Sequence, residues 1–138
     1  MSTKYLQLIP GGELPDISAL RPFLGVIVSE ETVSSEWRDT TSKWIVQSGC
    51  IYLMAWGENC EEWEDSVDLA NIQQFNHGDI PEDELVVTTC REGQTLEEVF
   101  RESKNSTSHS CVEFANTLIL HISAKNKENE FLPLYSRA

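Results

Sequence analysis

Four short runs of this chain are apolar or β-branched at nearly every position: 23–29 (FLGVIVS), 50–56 (CIYLMAW), 85–90 (LVVTTC) and 117–123 (TLILHIS). Continuous rather than alternating patterning predicts strands covered on both faces. Between them the pattern changes to spacings of three and four. Trp37, Thr41, Trp44, Ile45 and Ser48 form one such face. Trp63, Val67 and Ala70, widened by Leu69 and Ile72, form a second, and Leu96, Val99 and Phe100 a third. Each face predicts a helix packed on a sheet. The order strand, helix, strand, helix, strand, helix, strand predicts a three-layer α/β fold. Its sheet is mostly parallel and four- to five-stranded, with helices on both faces and right-handed crossovers.

Local signals place the boundaries. Hydroxyls at residues 32–35 predict the start of the first helix, and Gly49 its end. Asn59 with Glu62, and Thr95 with Glu98, each fit a capping box. Residues 75–83 (FNHGDIPED) read as a loop around Gly78 and Pro81. Residues 111–115 fit either a helix end or a short strand. One domain over 1–138 is expected, with its core at 23–123. A lead-in at 1–22 offers a short edge strand near Tyr5–Ile9, and residues 124–138 form a tail. In that tail Phe131, Leu132, Leu134 and Tyr135 either cover an edge or hang loose. Three of the four tryptophans fall on predicted helices, where their rings are expected to fill the gap between helix and sheet.

Composition narrows the partners. Ten basic against 23 acidic residues give a net charge of -13. That disfavours a nucleic-acid backbone and an anionic membrane surface, and leaves a basic protein partner or a metal cation compatible. No apolar run is long enough to span a membrane, and the first residues lack the pattern of a signal peptide. Cys50, Cys60, Cys90 and Cys111 form no CxxC pair, so reduced thiols and a cytoplasmic setting are expected.

Candidate chemistry lies where a parallel sheet presents the carboxyl ends of its strands. That rim would gather Ser29, Glu30 and Glu31; Trp56 to Cys60; Thr88 to Glu92; and His121 with Ser123. Neither GxGxxG nor GxxxxGK[ST] occurs, so no nucleotide cofactor is expected. Glu30, Glu31, Glu58 and Asp79 are possible oxygen donors, but the calcium-loop pattern is missing and no metal is expected. Cys60 opens a helix, which favours a thiolate, while Glu58, Glu61, Glu62 and Glu64 oppose one. Were the protein an enzyme, Glu30, Asn59, Cys60 and Arg91 would be its best catalytic residues. The balance leans away from an enzyme.

The stretch SGCIYLMAWGENCEEWEDSVDLANIQQFNHGDIPEDELVVTT, with LEEVF and LILHIS after it, resembles a small bacterial domain family of unassigned function over about residues 23–123. The resemblance implies a bacterial, cytoplasmic, self-contained domain. It brings no activity, cofactor or catalytic residue.

The expected function is therefore a small acidic binding or regulatory protein, an immunity- or defence-type partner of a basic protein. Its surface would comprise Glu58, Glu61, Glu64, Asp65 and Asp68, joined by Asp79, Glu82, Asp83 and Glu84 in the next loop. The alternative is a small enzyme or ligand-binding domain at the strand rim. A third expectation is a homo-oligomer using the apolar tail from Phe131 to Tyr135.

Overall fold

The computed structural model describes residues 2–138. In chain order its elements are β1 (Ser2–Leu8), β2 (Phe23–Ser29), α1 (Ser35–Gln47), β3 (Cys50–Gly57) and α2 (Cys60–Gln74). They continue with β4 (Val87–Cys90), α3 (Leu96–Asn105), β5 (Asn116–Ile122) and α4 (Glu128–Arg137). The five strands make one sheet in the order β1-β5-β2-β3-β4, and every pairing is parallel. The predicted three-layer fold is observed.

All seven residues of β2 are buried, and the pleat sends them alternately to two cores. Phe23 and Ile27 meet Leu53, Leu118 and Leu120 under α1 and α2, where Ile45, Trp63, Val67 and Ala70 close the layer. Leu24, Val26 and Val28 meet Met54 and Ile119 under α3 and α4, closed by Val99, Phe100, Phe131 and Tyr135. Trp63 is the largest fully buried side chain. Emptying such a site typically costs about 3–5 kcal/mol, a large part of a domain's net stability.

The start of the chain is the edge strand β1, which runs from Ser2 and pairs with β5 from Ser2↔Asn116 to Leu8↔Ile122. The end of the chain is a helix rather than a loose tail. Pro133 lies inside α4, and a proline there argues against a helix in the sequence. Phe131 and Tyr135, four residues apart, hold it in place by burying their rings. They serve this chain's own core, so the tail is not a free apolar surface. The buried set thus reaches beyond 23–123 at both ends.

Other boundaries moved for identifiable reasons. Ser34 caps α1 by accepting from Trp37 N, and Thr95 caps α3 by accepting from Glu98 N. The capping box at Asn59 does not form. Asn59 is left-handed, with φ 56°, and its side chain caps nothing. β4 starts at Val87 because the Asn71 side chain takes the place of the ladder before it. Asn71 Oδ1 accepts from Val86 N at 3.0 Å, and Nδ2 donates to Glu84 O at 3.1 Å. Residues 111–115 are neither helix nor strand. Trp37 and Trp44 are half-buried, and their indoles donate to Gly12 O and Pro15 O, strapping the lead-in onto α1. Of the three helical tryptophans only Trp63 is fully packed between helix and sheet.

The turn from β3 to α2 depends on Gly57. Its φ is +98°, and a Cβ there would lie 2.1 Å from the carbonyl oxygen of Ser29. Gly93 also has positive φ, +77°, but open space around it. Gly57→Ala is expected to lose about 2–3 kcal/mol in urea unfolding, and Gly93→Ala about 1 kcal/mol, from backbone strain alone. Equal losses would mean that the contact with Ser29 contributes nothing.

Candidate functional site

In a doubly wound sheet the crevice opens between neighbouring strands whose outgoing connections run to opposite faces. Here those strands are β2, which leads to α1, and β5, which leads to α4. Glu30 follows the end of β2, and His121 is the sixth residue of β5. His121 is fully buried, with Nε2 2.5 Å from Glu30 Oε1 and Nδ1 2.6 Å from Tyr5 Oη. Lys127 Nζ lies 3.1 Å from Glu30 Oε1, and Lys127 N donates to Tyr5 Oη at 2.9 Å. The Phe131 ring lies against the imidazole, with centroids 4.6 Å apart.

A neutral imidazole satisfies every partner in this chain. Nε2–H donates to Glu30, Nδ1 accepts from the Tyr5 hydroxyl, and that hydroxyl accepts from Lys127 N–H. Burial pushes the Glu30 carboxyl up, but hydrogen bonds from His121 and Lys127 and the positive charge of Lys127 outweigh it and hold the group below its ordinary value of 4.5. Burial is also the main reason the Tyr5 phenol is raised above 10.0. The network ties β1, β2, β5 and the start of α4 together and fills the crevice with side chains already partnered.

The other rim residues have separate partners. Arg91 Nη1 pairs with Glu102 at 2.7 Å, and Arg91 N donates to Ala55 O, so it locks the end of β4 to α3 and β3. Cys60 lies against Cys90, with sulfurs 2.6 Å apart. Asn59 is exposed at the turn. Among the hydrogen bonds and ion pairs of the described residues, none joins any two of Glu30, Asn59, Cys60 and Arg91. Among the described residues, no three His, Cys, Asp or Glu side chains are grouped to hold a metal ion. No helix among the described residues is long and apolar enough to cross a membrane.

Ion pairs reach five of the acids among the described residues. Glu30, Asp39, Glu62, Glu97 and Glu102 each have a cationic partner. Among the described residues, no ion pair reaches Glu58, Glu61, Glu64, Asp65, Asp68, Asp79, Glu82 or Asp83. Asp68 accepts a hydrogen bond from Thr88 Oγ1 at 2.6 Å, and all eight except the half-buried Glu64 are exposed. Glu64 registers the crowding: partial burial, then the negative fields of Asp68, Asp65 and Glu61, raise its carboxyl above 4.5. Leu69, Ile72 and Leu85 are exposed beside these acids, at 47%, 39% and 42%. An open cleft of about 310 Å³ between α1 and α2 is lined by Arg38, Asp39, Glu62, Asp65, Ser66 and Leu69.

The sequence placed Glu30 and His121 at the rim and missed their partners. Tyr5 and His121 are 116 residues apart, and no spacing rule joins them. The pairing of Cys60 with Cys90 was missed for the same reason. The only available signal was that both follow or end predicted strands.

The chain belongs to a family described as a domain of unknown function, DUF7684, which matches residues 3–138. The match takes in β1 and α4 as well as residues 23–123. No curated protein and no solved structure matches the chain.

Glu30→Gln keeps an oxygen acceptor for His121 and removes the charge. Because the folded carboxyl sits below its ordinary value, its contribution is present above pH 4.5 and is lost as pH falls through the lower folded value. Urea unfolding is expected to show Glu30→Gln less stable than wild type at neutral pH, with the gap closing below pH 4.5. A gap independent of pH would assign the effect to packing rather than charge.

Proposed function

We propose that this member of the family is a non-enzymatic binding or regulatory protein that captures a basic protein partner through the outer face of α2 and the loop at 79–84. The single observation that supports the reading is the crowding of acids on this face. Glu61, Asp65 and Asp68 lie close enough to Glu64 that their negative fields, added to its partial burial, raise its carboxyl, and no ion pair relieves any of the four. Exposed Leu69, Ile72 and Leu85 supply apolar contact area within the charged surround, the composition of a protein-binding surface. Negative charge there would speed encounter with a cationic partner and exclude anionic ones. A bacterial, cytoplasmic setting and an immunity- or defence-type role belong to the same proposal.

The rim reading is the weaker alternative. Glu30 and His121 lie at the expected crevice, but their partners fill it.

Two experiments test the α2 face. A partner recovered from native lysate is identified, and its affinity is measured against two variants of equal net charge. Glu64→Lys, Asp65→Lys and Asp68→Lys together are expected to weaken capture at least tenfold, about 1.4 kcal/mol. The control, Glu98→Lys, Glu113→Lys and Glu128→Lys, is expected to retain it. Equal losses would reduce the effect to net charge and sink the proposal.

Glu64→Gln gives a second readout. Its folded carboxyl is raised, so the wild type loses stability as pH rises through 4.5 and above. The variant is expected to melt at a higher temperature than wild type at neutral pH, to match it below pH 4.5, and to bind the partner less tightly. A variant that is more stable and binds equally well would remove Glu64 from the interface.

A further inference from the structure

We propose that Cys60 and Cys90 are a redox-active dithiol that closes to an intrachain disulfide by exchange with a small cationic disulfide. The pair stands apart from the α2 partner reading and does not depend on it.

Two anchored elements bring the sulfurs together. Cys60 is the first residue of α2, and Cys90 the last of β4. The backbone on either side is fixed, since Trp63 N donates to Asn59 O and Arg91 N donates to Ala55 O. The 2.6 Å approach is therefore held by the fold rather than by a flexible loop. The other cysteines lack such a neighbour: Cys50 is buried and donates to Tyr52 O, and Cys111 is exposed beside Ser110.

Exposure gives the two thiols different roles. Cys60 is 2% exposed, while Cys90 is only half-buried, which makes Cys90 the residue an external reagent would meet first. Burial, the contact with Cys60 and the negative field of Glu64 push the Cys90 thiol up to about 12. Exchange at neutral pH is accordingly slow, and it rises with pH as thiolate forms. Glu58, Glu61 and Glu64 lie on the same turn and helix start. They repel an anionic disulfide and attract a cationic one.

The chemistry balances without any further reagent. Cys90 gives up its proton and attacks one sulfur of R–S–S–R, expelling R–S⁻, which takes up a proton as R–SH. Cys60 then loses its proton and attacks Cys90 Sγ, displacing the second R–S⁻. Two protein thiols are oxidised, and one small disulfide is reduced to two R–SH.

The test uses the full chain with Cys111→Ser, which removes the exposed thiol, and cystamine as the disulfide. At mildly alkaline pH, mass spectrometry after alkylation is expected to show two thiols lost and a peptide pair joining Cys60 to Cys90. Dithiothreitol is expected to restore both thiols. The same reaction with oxidised glutathione, which is anionic, is expected to run at least tenfold slower. In a Cys60→Ser background the reaction is expected to stop at a cysteamine adduct on Cys90. A stable adduct on Cys90 with Cys60 still free in the otherwise native chain would overturn the proposal. So would two unreacted thiols, or equal rates with the two disulfides.

Discussion

The structure rests on one strand shared by two cores. β2 is buried along its whole length and is hydrogen-bonded to β3 on one side and β5 on the other. Its even-numbered residues hold the α3–α4 layer, and Phe23 and Ile27 hold the α1–α2 layer. Neither layer could persist without it, because each helix pair has its apolar face satisfied only against the sheet. Such a strand admits no polar side chain within its span, and FLGVIVS has none before its final serine. That serine marks where the core ends and the rim begins. Its carbonyl oxygen accepts from Glu58 N at 2.7 Å and crowds Gly57, so the exits of β2 and β3 are set together.

Periodicity made the layers legible in the sequence. Continuous apolar runs identified the inner strands, and spacings of three and four identified three helices, because burial on one or two faces leaves that imprint directly. α4 escaped because Pro133 contradicts its helix locally while Phe131 and Tyr135 enforce it through the tertiary fold. The Asn59 capping box failed for a related reason. Its sequence fits, but the turn from Gly57 sends Asn59 into the left-handed region and its side chain away from the helix start. The candidate site was less legible than the fold. Glu30 and His121 could be assigned to one rim, but the Tyr5 hydroxyl and the Lys127 amine arrive from opposite ends of the chain. Contacts of that kind are set by strand order, which no local pattern encodes.

Charge is distributed unevenly. Some acids brace the fold against a cation: Glu30 with Lys127, Glu102 with Arg91, Glu62 with Arg38. Along the outer surface of α2 the acids are unmatched and depress one another's ionisation, as Glu64 registers. Ten basic residues cannot neutralise 23 acidic ones, yet the surplus need not have gathered on one helix. Its concentration beside Leu69, Ile72 and Leu85, rather than its size, makes this face distinctive.

The pairing of β1 with β5 joins Ser2 to Asn116, and it fixes an order of events during synthesis. β2, α1, β3, α2 and β4 follow one another along the chain, and neighbouring strands among them pair in sequence, so that half can assemble as it emerges. β1 has no neighbour in the sheet except β5. It must wait, made but unpaired, until the last strand is available, and the second side of β2 waits with it. Loop-closure entropy falls on this late step, and parallel pairing over such a separation is intrinsically slow. The nascent chain therefore carries an open strand edge until β5 emerges, the kind of surface that other chains or chaperones engage.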